Sequence, residues 1–162
     1  MDNQTEHIEA TPVDIFISYA RADGEYMEQL KKHLRSLERQ KLINSWTDTL
    51  IQSGQKWSNE ILESLEKAAI ILFLMSPDFI DSDYIHEVEI KKAMERHECD
   101  EVIIVPIFIR FCNLEGHPLS VFQGLPDPKK PISKWEDNDE AWNNIIKGLK
   151  IHVKNFQKKK VN

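Results

Sequence analysis

Glu87 and Glu89 lie in the segment Ser76-Pro77-Asp78-Phe79-Ile80-Asp81-Ser82-Asp83-Tyr84-Ile85-His86-Glu87-Val88-Glu89-Ile90, which leads from the end of an apolar strand into a helix. In an open parallel α/β sheet, strand-to-helix connections of this kind are where ligands collect. A carboxylate there can stabilise a developing cation by charge and hold a substrate hydroxyl by hydrogen bonding. No cysteine or histidine sits in a nucleophile elbow or a zinc box. His86 is the one histidine beside this segment, and its simplest role is packing. A glutamate aimed into a cleft predicts an enzyme; one aimed at water predicts a docking module.

Helix spacing separates the two acids. Glu87 has Lys91 four residues on, the spacing of a solvated surface ion pair. Glu89 has Ile85 and Ala93 at those steps, a less polar setting, although Lys92 lies three residues on. Glu89 is therefore the first choice and Glu87 the second.

Much else is excluded. The five glycines (24, 54, 116, 124 and 148) are scattered and form neither a dinucleotide fingerprint nor a phosphate loop. The first strand ends Ser18-Tyr19-Ala20, without the acids of a phosphoacceptor or the Thr/Gly-rich loop of a flavodoxin. Cys99 and Cys112 lack metal or redox spacing, so two reduced thiols are expected, with no metal and no bound cofactor. A net charge of −6 argues against a nucleic-acid footprint, and the run Lys158-Lys159-Lys160 reads as a basic tail or linker. The apolar runs are too short to span a bilayer. The polar, acidic start is no targeting signal, so a cytoplasmic protein is expected.

The elements that must position the glutamate follow from periodicity. A lead over 1–12 precedes one domain over 13–155, with the tail at 156–162. Val13 to Ser18 predicts a strand, and Met27, Leu30, Leu34 and Leu37 give a helix its buried stripe. Leu42 to Trp46 is a second strand, followed by a loop from Thr47 to Gln55. Trp57, Ile61, Leu65 and Ala68 mark the next helix, and Ala69 to Met75 a central strand covered on both faces. Asp81 or Ser82 caps the helix that carries Glu89 to about Arg96. Val102 to Ile109 is a further strand, in which Pro106 signals a bulge or an edge. Ile132 to Trp135 is a fifth short strand, and 140–155 the closing helix.

This alternation predicts an α/β fold: a flavodoxin-like five-stranded parallel sheet of order 2-1-3-4-5, flanked by helices. The crevice then opens between the carboxyl ends of the first and third strands. Tyr19, the loop after the second strand and the helix bearing Glu89 should all face it.

Several blocks resemble the TIR (Toll/interleukin-1 receptor) domain. Asp14-Ile15-Phe16-Ile17-Ser18-Tyr19 is similar to the family's opening strand motif. Trp46-Thr47-Asp48, with Gly54 and Trp57, resembles the loop after its second strand. Ser82-Asp83-Tyr84 through Glu89-Ile90 resembles its third motif, often Ser-x-Trp-Cys-x-x-Glu-Leu. Here tyrosine replaces the tryptophan, and one extra residue separates it from the glutamate. Val105 to Ile109 and Leu125-Pro126 resemble bacterial members.

The resemblance implies one of two roles. Some TIR domains are scaffolds that signal through homotypic contacts; others cleave NAD+ to nicotinamide and ADP-ribose or a cyclic form, the bacterial ones often in antiviral defence. The second role would make NAD+ a substrate, Glu89 its catalytic acid, and Tyr19, Arg21, Trp46, Asp48, Ser82 and Tyr84 its surroundings. Four of these have a plainer role: Tyr19 half-buried packing, Asp48 an Asx-turn, Ser82 a helix cap, Arg21 an exposed charge. The loop with Ser53, Gly54 and Trp57 would mediate head-to-tail self-association into filaments, driven by a fused or associated sensor domain. A lone acid suits this reaction, because nicotinamide departs from a pyridinium without needing a proton, unlike an alkoxide.

Overall fold

The computed structural model describes residues 11–47, 59–126 and 130–161. Four parallel strands form the sheet: β1 (Val13–Ser18), β2 (Ile43–Thr47), β3 (Ile70–Met75) and β4 (Ile103–Phe108), in the order β2-β1-β3-β4. The helices between them are α1 (Gly24–Arg39), α2 (Asn59–Lys67), α3 (Pro77–Asp81) and α4 (Lys91–Glu98), and α5 (Asn138–Val161) closes the domain. The order of these strands and the flavodoxin-like arrangement are as the alternation predicts.

Strand alternation divides the core into two layers. Ile15 and Ile17 face α1 and α5, whose buried stripes include Leu30, Leu34, Trp142 and Leu149. Phe16, Ile71 and Phe73 face the other way, against Ile61, Leu65, Phe79 and Ala93. Every residue of β3 is buried, as a central strand with helices on both faces requires. All four residues of the predicted α1 stripe are buried as well.

The expected fifth strand is not one. Ile132–Lys134 is a single 3-10 turn, closed by Lys134 N–H to Pro131 C=O (2.8 Å) and Trp135 N–H to Ile132 C=O (3.1 Å). Pro131 at its head fixes a φ of −55° and directs the chain into the turn, while Ile132 still buries its side chain. Leu125 takes up the edge of β4 instead, through one parallel bridge to Ile107. The bridge is made by Phe108 N–H to Leu125 C=O (2.8 Å) and Leu125 N–H to Pro106 C=O (2.9 Å). Pro106 thus turns its peptide groups to the outer edge, where its missing N–H costs no bond to β3. Gly124 permits the approach: a Cβ there would lie 2.7 Å from the Pro106 carbonyl oxygen.

Two helix boundaries differ from expectation. The closing helix continues through the basic tail to Val161. The helix predicted to carry Glu89 forms, but it opens as a π-helical turn (Ile85–Ile90) that runs directly into α4, and a separate short helix, α3, precedes its Ser82 cap.

Candidate functional site

Ser18 is the last residue of β1, and alternation sends its side chain to the same face as Phe16, toward the turn that carries Glu89. Its Oγ donates to Glu89 Oε2 at 2.9 Å, and both residues have 0% of their surface exposed. Glu87 is exposed. Of the two acids, Glu89 therefore meets the carboxyl end of the sheet, at the point where strand order reverses between β1 and β3.

The π-helical turn explains how. A π turn bonds i to i+5 rather than i+4, so it absorbs one residue without changing what precedes or follows it. This chain carries one more residue between Tyr84 and its glutamate than the resembling motif does. The turn takes up that residue. Ile85, Glu89 and Ile90 are buried on its inner side, and Tyr84 packs half-buried against the same core layer. Ser82 starts the turn by accepting from Ile85 N–H at 3.3 Å, the expected cap.

A second carboxylate is buried at the same end of the sheet. Asp23 closes the 3-10 turn Arg21–Asp23 after β1 and is 1% exposed. It accepts from Ser76 Oγ, whose oxygen also caps α3 by accepting from Phe79 N–H at 3.0 Å. Arg110, just past β4, donates to Asp23 Oδ1 through Nε (3.1 Å) and Nη2 (2.9 Å), and Nη2 also reaches Asp78. Burial alone would lower the Arg110 pKa, but its bonds to Asp78 and Asp23 outweigh that and raise it.

Below the π turn two histidines meet. His86 and His117 approach at 2.8 Å through their Nε2 atoms. His86 Nδ1 lies 2.7 Å from the Ser82 carbonyl, and His117 Nδ1 accepts from Leu119 N–H at 3.1 Å. Burial, and secondarily His86, lower the His117 pKa. Among the described residues no group of three or more His, Cys, Asp or Glu is placed to hold a metal ion.

Comparison with known proteins identifies the family. The family model described as TIR domain matches residues 15–146. This chain belongs to the TIR-domain family. An uncharacterized protein, y4lF, of Sinorhizobium fredii is 38% identical over 136 residues, covering 84% of this chain and 42% of y4lF. The disease resistance-like protein CSA1 of Arabidopsis thaliana is 33% identical over 101 residues, 62% of this chain but 8% of CSA1. The TIR domain thus spans less than half the length of these two relatives.

Two solved structures share the fold. The TIR domain of the Toll-related receptor TRR-2 from Hydra magnipapillata superposes with a TM-score of 0.56 at 17% identity, covering 86% of this chain and 97% of that one. The TIR domains of the activated Roq1 resistosome give 0.59 at 16% identity, covering 85% of this chain and 99% of that one.

The remaining sequence-predicted residues divide by position. Tyr19 packs half-buried against the α1–α5 layer. Arg21 is exposed in the turn after β1. Trp46 pairs in register with Phe16 on β2. Asp48, Ser53, Gly54 and Trp57 lie outside the described residues. Sequence reasoning missed Ser18, Asp23, Ser76, Arg110 and His117 as members of buried networks. The signal for Arg110 was available, since it directly follows the apolar run Val102 to Ile109.

Proposed function

We propose that this TIR domain is an NAD+ glycohydrolase, cleaving NAD+ to nicotinamide and ADP-ribose or a cyclic form. The observation that carries the reading is the Glu89 carboxylate, held inside the fold at the carboxyl ends of β1 and β3 by Ser18. The bond between ribose C1′ and the pyridinium nitrogen breaks, and its electron pair leaves with neutral nicotinamide. The anionic Glu89 stabilises the ribosyl cation and orients the ribose hydroxyls. Water then adds to C1′ and loses a proton to solvent, giving ADP-ribose. Where the adenine reaches C1′ first, the product is cyclic. Arg21, Trp46, Asp48, Ser82 and Tyr84 shape the pocket around the substrate, whereas Tyr19 packs on the opposite core layer.

Glu89 has no exposed surface, so a ribose reaches it only after neighbouring side chains shift. That fits an isolated chain of feeble activity that gains turnover when copies pack head to tail through the loop with Ser53, Gly54 and Trp57. Such a heterologous contact does not close and extends into filaments. The greater length of the relatives fits a TIR unit clustered by a fused or associated sensor. Cytoplasmic NAD+ depletion of this kind suits an effector of bacterial antiviral defence.

The same enclosure favours a second reading, a non-enzymatic scaffold in which Glu89 is only a buried hydrogen-bonding residue. NAD+ loss measured against protein concentration separates the two. The enzyme shows rising specific activity on clustering, abolished by Glu89→Gln while assembly persists. A clustered protein that spares NAD+ is the scaffold.

A further inference from the structure

We infer that Ser18 is the positioning residue for Glu89, favouring its charged form against the burial that opposes it and fixing the side chain in rotation; the inference rests on the glycohydrolase reading. Ser18 ends β1, which pairs with both β2 and β3, so its backbone is held by the sheet. The hydroxyl is fully enclosed, and a buried hydroxyl aimed at a carboxylate costs free energy unless the bond is made. At 2.9 Å it is made, across 71 residues of sequence, between a sheet end and a π turn.

Two consequences follow for the reaction. A hydrogen bond donated to a carboxylate favours its charged form, and only that form stabilises the ribosyl cation. The bond also stops the side chain from turning about its last torsion, which is otherwise broad and soft. Ser18 touches neither substrate nor the breaking bond. It acts through Glu89, so its loss weakens the transition state and leaves substrate binding nearly as it was.

The test compares Ser18→Ala and Ser18→Thr with the parent full chain at one clustered concentration, reading kcat, KM, the pH–activity profile and the melting temperature. A bond to a charged group of this kind predicts a kcat about 10- to 100-fold lower in Ser18→Ala, with KM within about twofold. The acidic limb of the profile moves to higher pH. Ser18→Thr, which keeps the hydroxyl, recovers most of the turnover. A merely structural serine would lower the melting temperature and leave both the limb and kcat per folded molecule unchanged, which overturns the inference.

Should Ser18→Ala fail to fold, Ser18→Cys replaces it: near-isosteric, with a weaker donor, it is expected to show the same limb shift, and parental behaviour overturns the proposal. If the clustered parent leaves NAD+ intact, the glycohydrolase reading fails and takes this inference with it. If the parent cleaves NAD+ and folded Ser18→Ala matches it, only the role of Ser18 is refuted.

Discussion

Ser18 and Ser76 hold carboxylates in a crossed arrangement. Ser18, at the end of β1, donates to Glu89 beyond β3, whereas Ser76, just past β3, donates to Asp23 beyond β1. All four residues are buried. Each serine therefore ties its own strand end to the connection that follows the neighbouring strand. The two connections cannot separate at the switch point without exposing or orphaning a carboxylate, and orphaning one is expensive in a low-dielectric interior.

Arg110 completes the Asp23 half of this arrangement, so Arg110→Leu should destabilise the fold. It leaves a buried carboxylate with Ser76 but without its cation. Breaking a fully buried pair costs several kcal/mol, and the 33% exposure of the Arg110 side chain reduces that. The expected loss is about 2 kcal/mol, read from urea unfolding. A change below about 0.5 kcal/mol, the ordinary surface range, would show the pair to be ornamental.

Glu87 and Glu89 should behave oppositely despite their spacing. Glu87 projects into water from the outer side of the π turn. Glu87→Gln is expected to keep NAD+ cleavage within about twofold of the parent and stability within about 0.5 kcal/mol. If that substitution, rather than Glu89→Gln, silences the clustered protein, the acid has been misassigned.

Periodicity and apolar runs foretold the sheet and the buried stripe of α1, because those patterns are the direct imprint of burial. The fifth strand was misread because Ile132 is apolar and buried like a strand residue, yet Pro131 and local i to i+3 bonds settle its backbone. Glu89 was set ahead of Glu87 by its less polar helix neighbours and by the Ile90 that follows it, as in the family motif. Its partner was not legible, since a lone serine in an apolar strand has no periodic signature and its bond joins distant segments. The π turn was equally hidden: a one-residue excess in a motif says nothing about where the helix stores it.

The His86–His117 contact makes stability depend on pH. A carbonyl cannot donate, so His86 carries its proton on Nδ1 and offers a lone pair at Nε2. Leu119 N–H occupies the His117 Nδ1 lone pair, so His117 donates from Nε2. Two neutral rings thus fit, and a proton added to His117 Nδ1 opposes the Leu119 N–H. His117 and, through burial, His152 have pKa values below 6.5 in the fold. The unfolded chain then takes up protons first as pH falls, so stability is present above about pH 6.5 and is lost below it, toward the folded values. The urea midpoint should drop between about pH 7.5 and about pH 5.5, and His117→Gln should shrink that drop while His152 preserves part of it. An unchanged slope in His117→Gln would acquit this pair.

The π turn itself can be tested by changing chain length. An α-helix advances about 100° per residue, so one surplus residue would ordinarily rotate everything beyond it away from its former face. The i to i+5 turn at Ile85–Ile90 cancels that rotation. Deleting Val88 removes the surplus, and the segment should close into continuous α-helix with Glu89 four residues after Tyr84 and still facing Ser18. The deletion variant is expected to fold, with a melting temperature within about 5 °C of the parent, and to cleave NAD+ when clustered, within about tenfold of parental rate. Inserting an alanine after Val88 adds a second surplus that one π turn cannot absorb, and turns Glu89 away from Ser18. That variant should lose cleavage. A folded deletion variant without activity, beside an active insertion variant, would mean that the turn sets the geometry of the carboxylate in its own right rather than merely restoring its register.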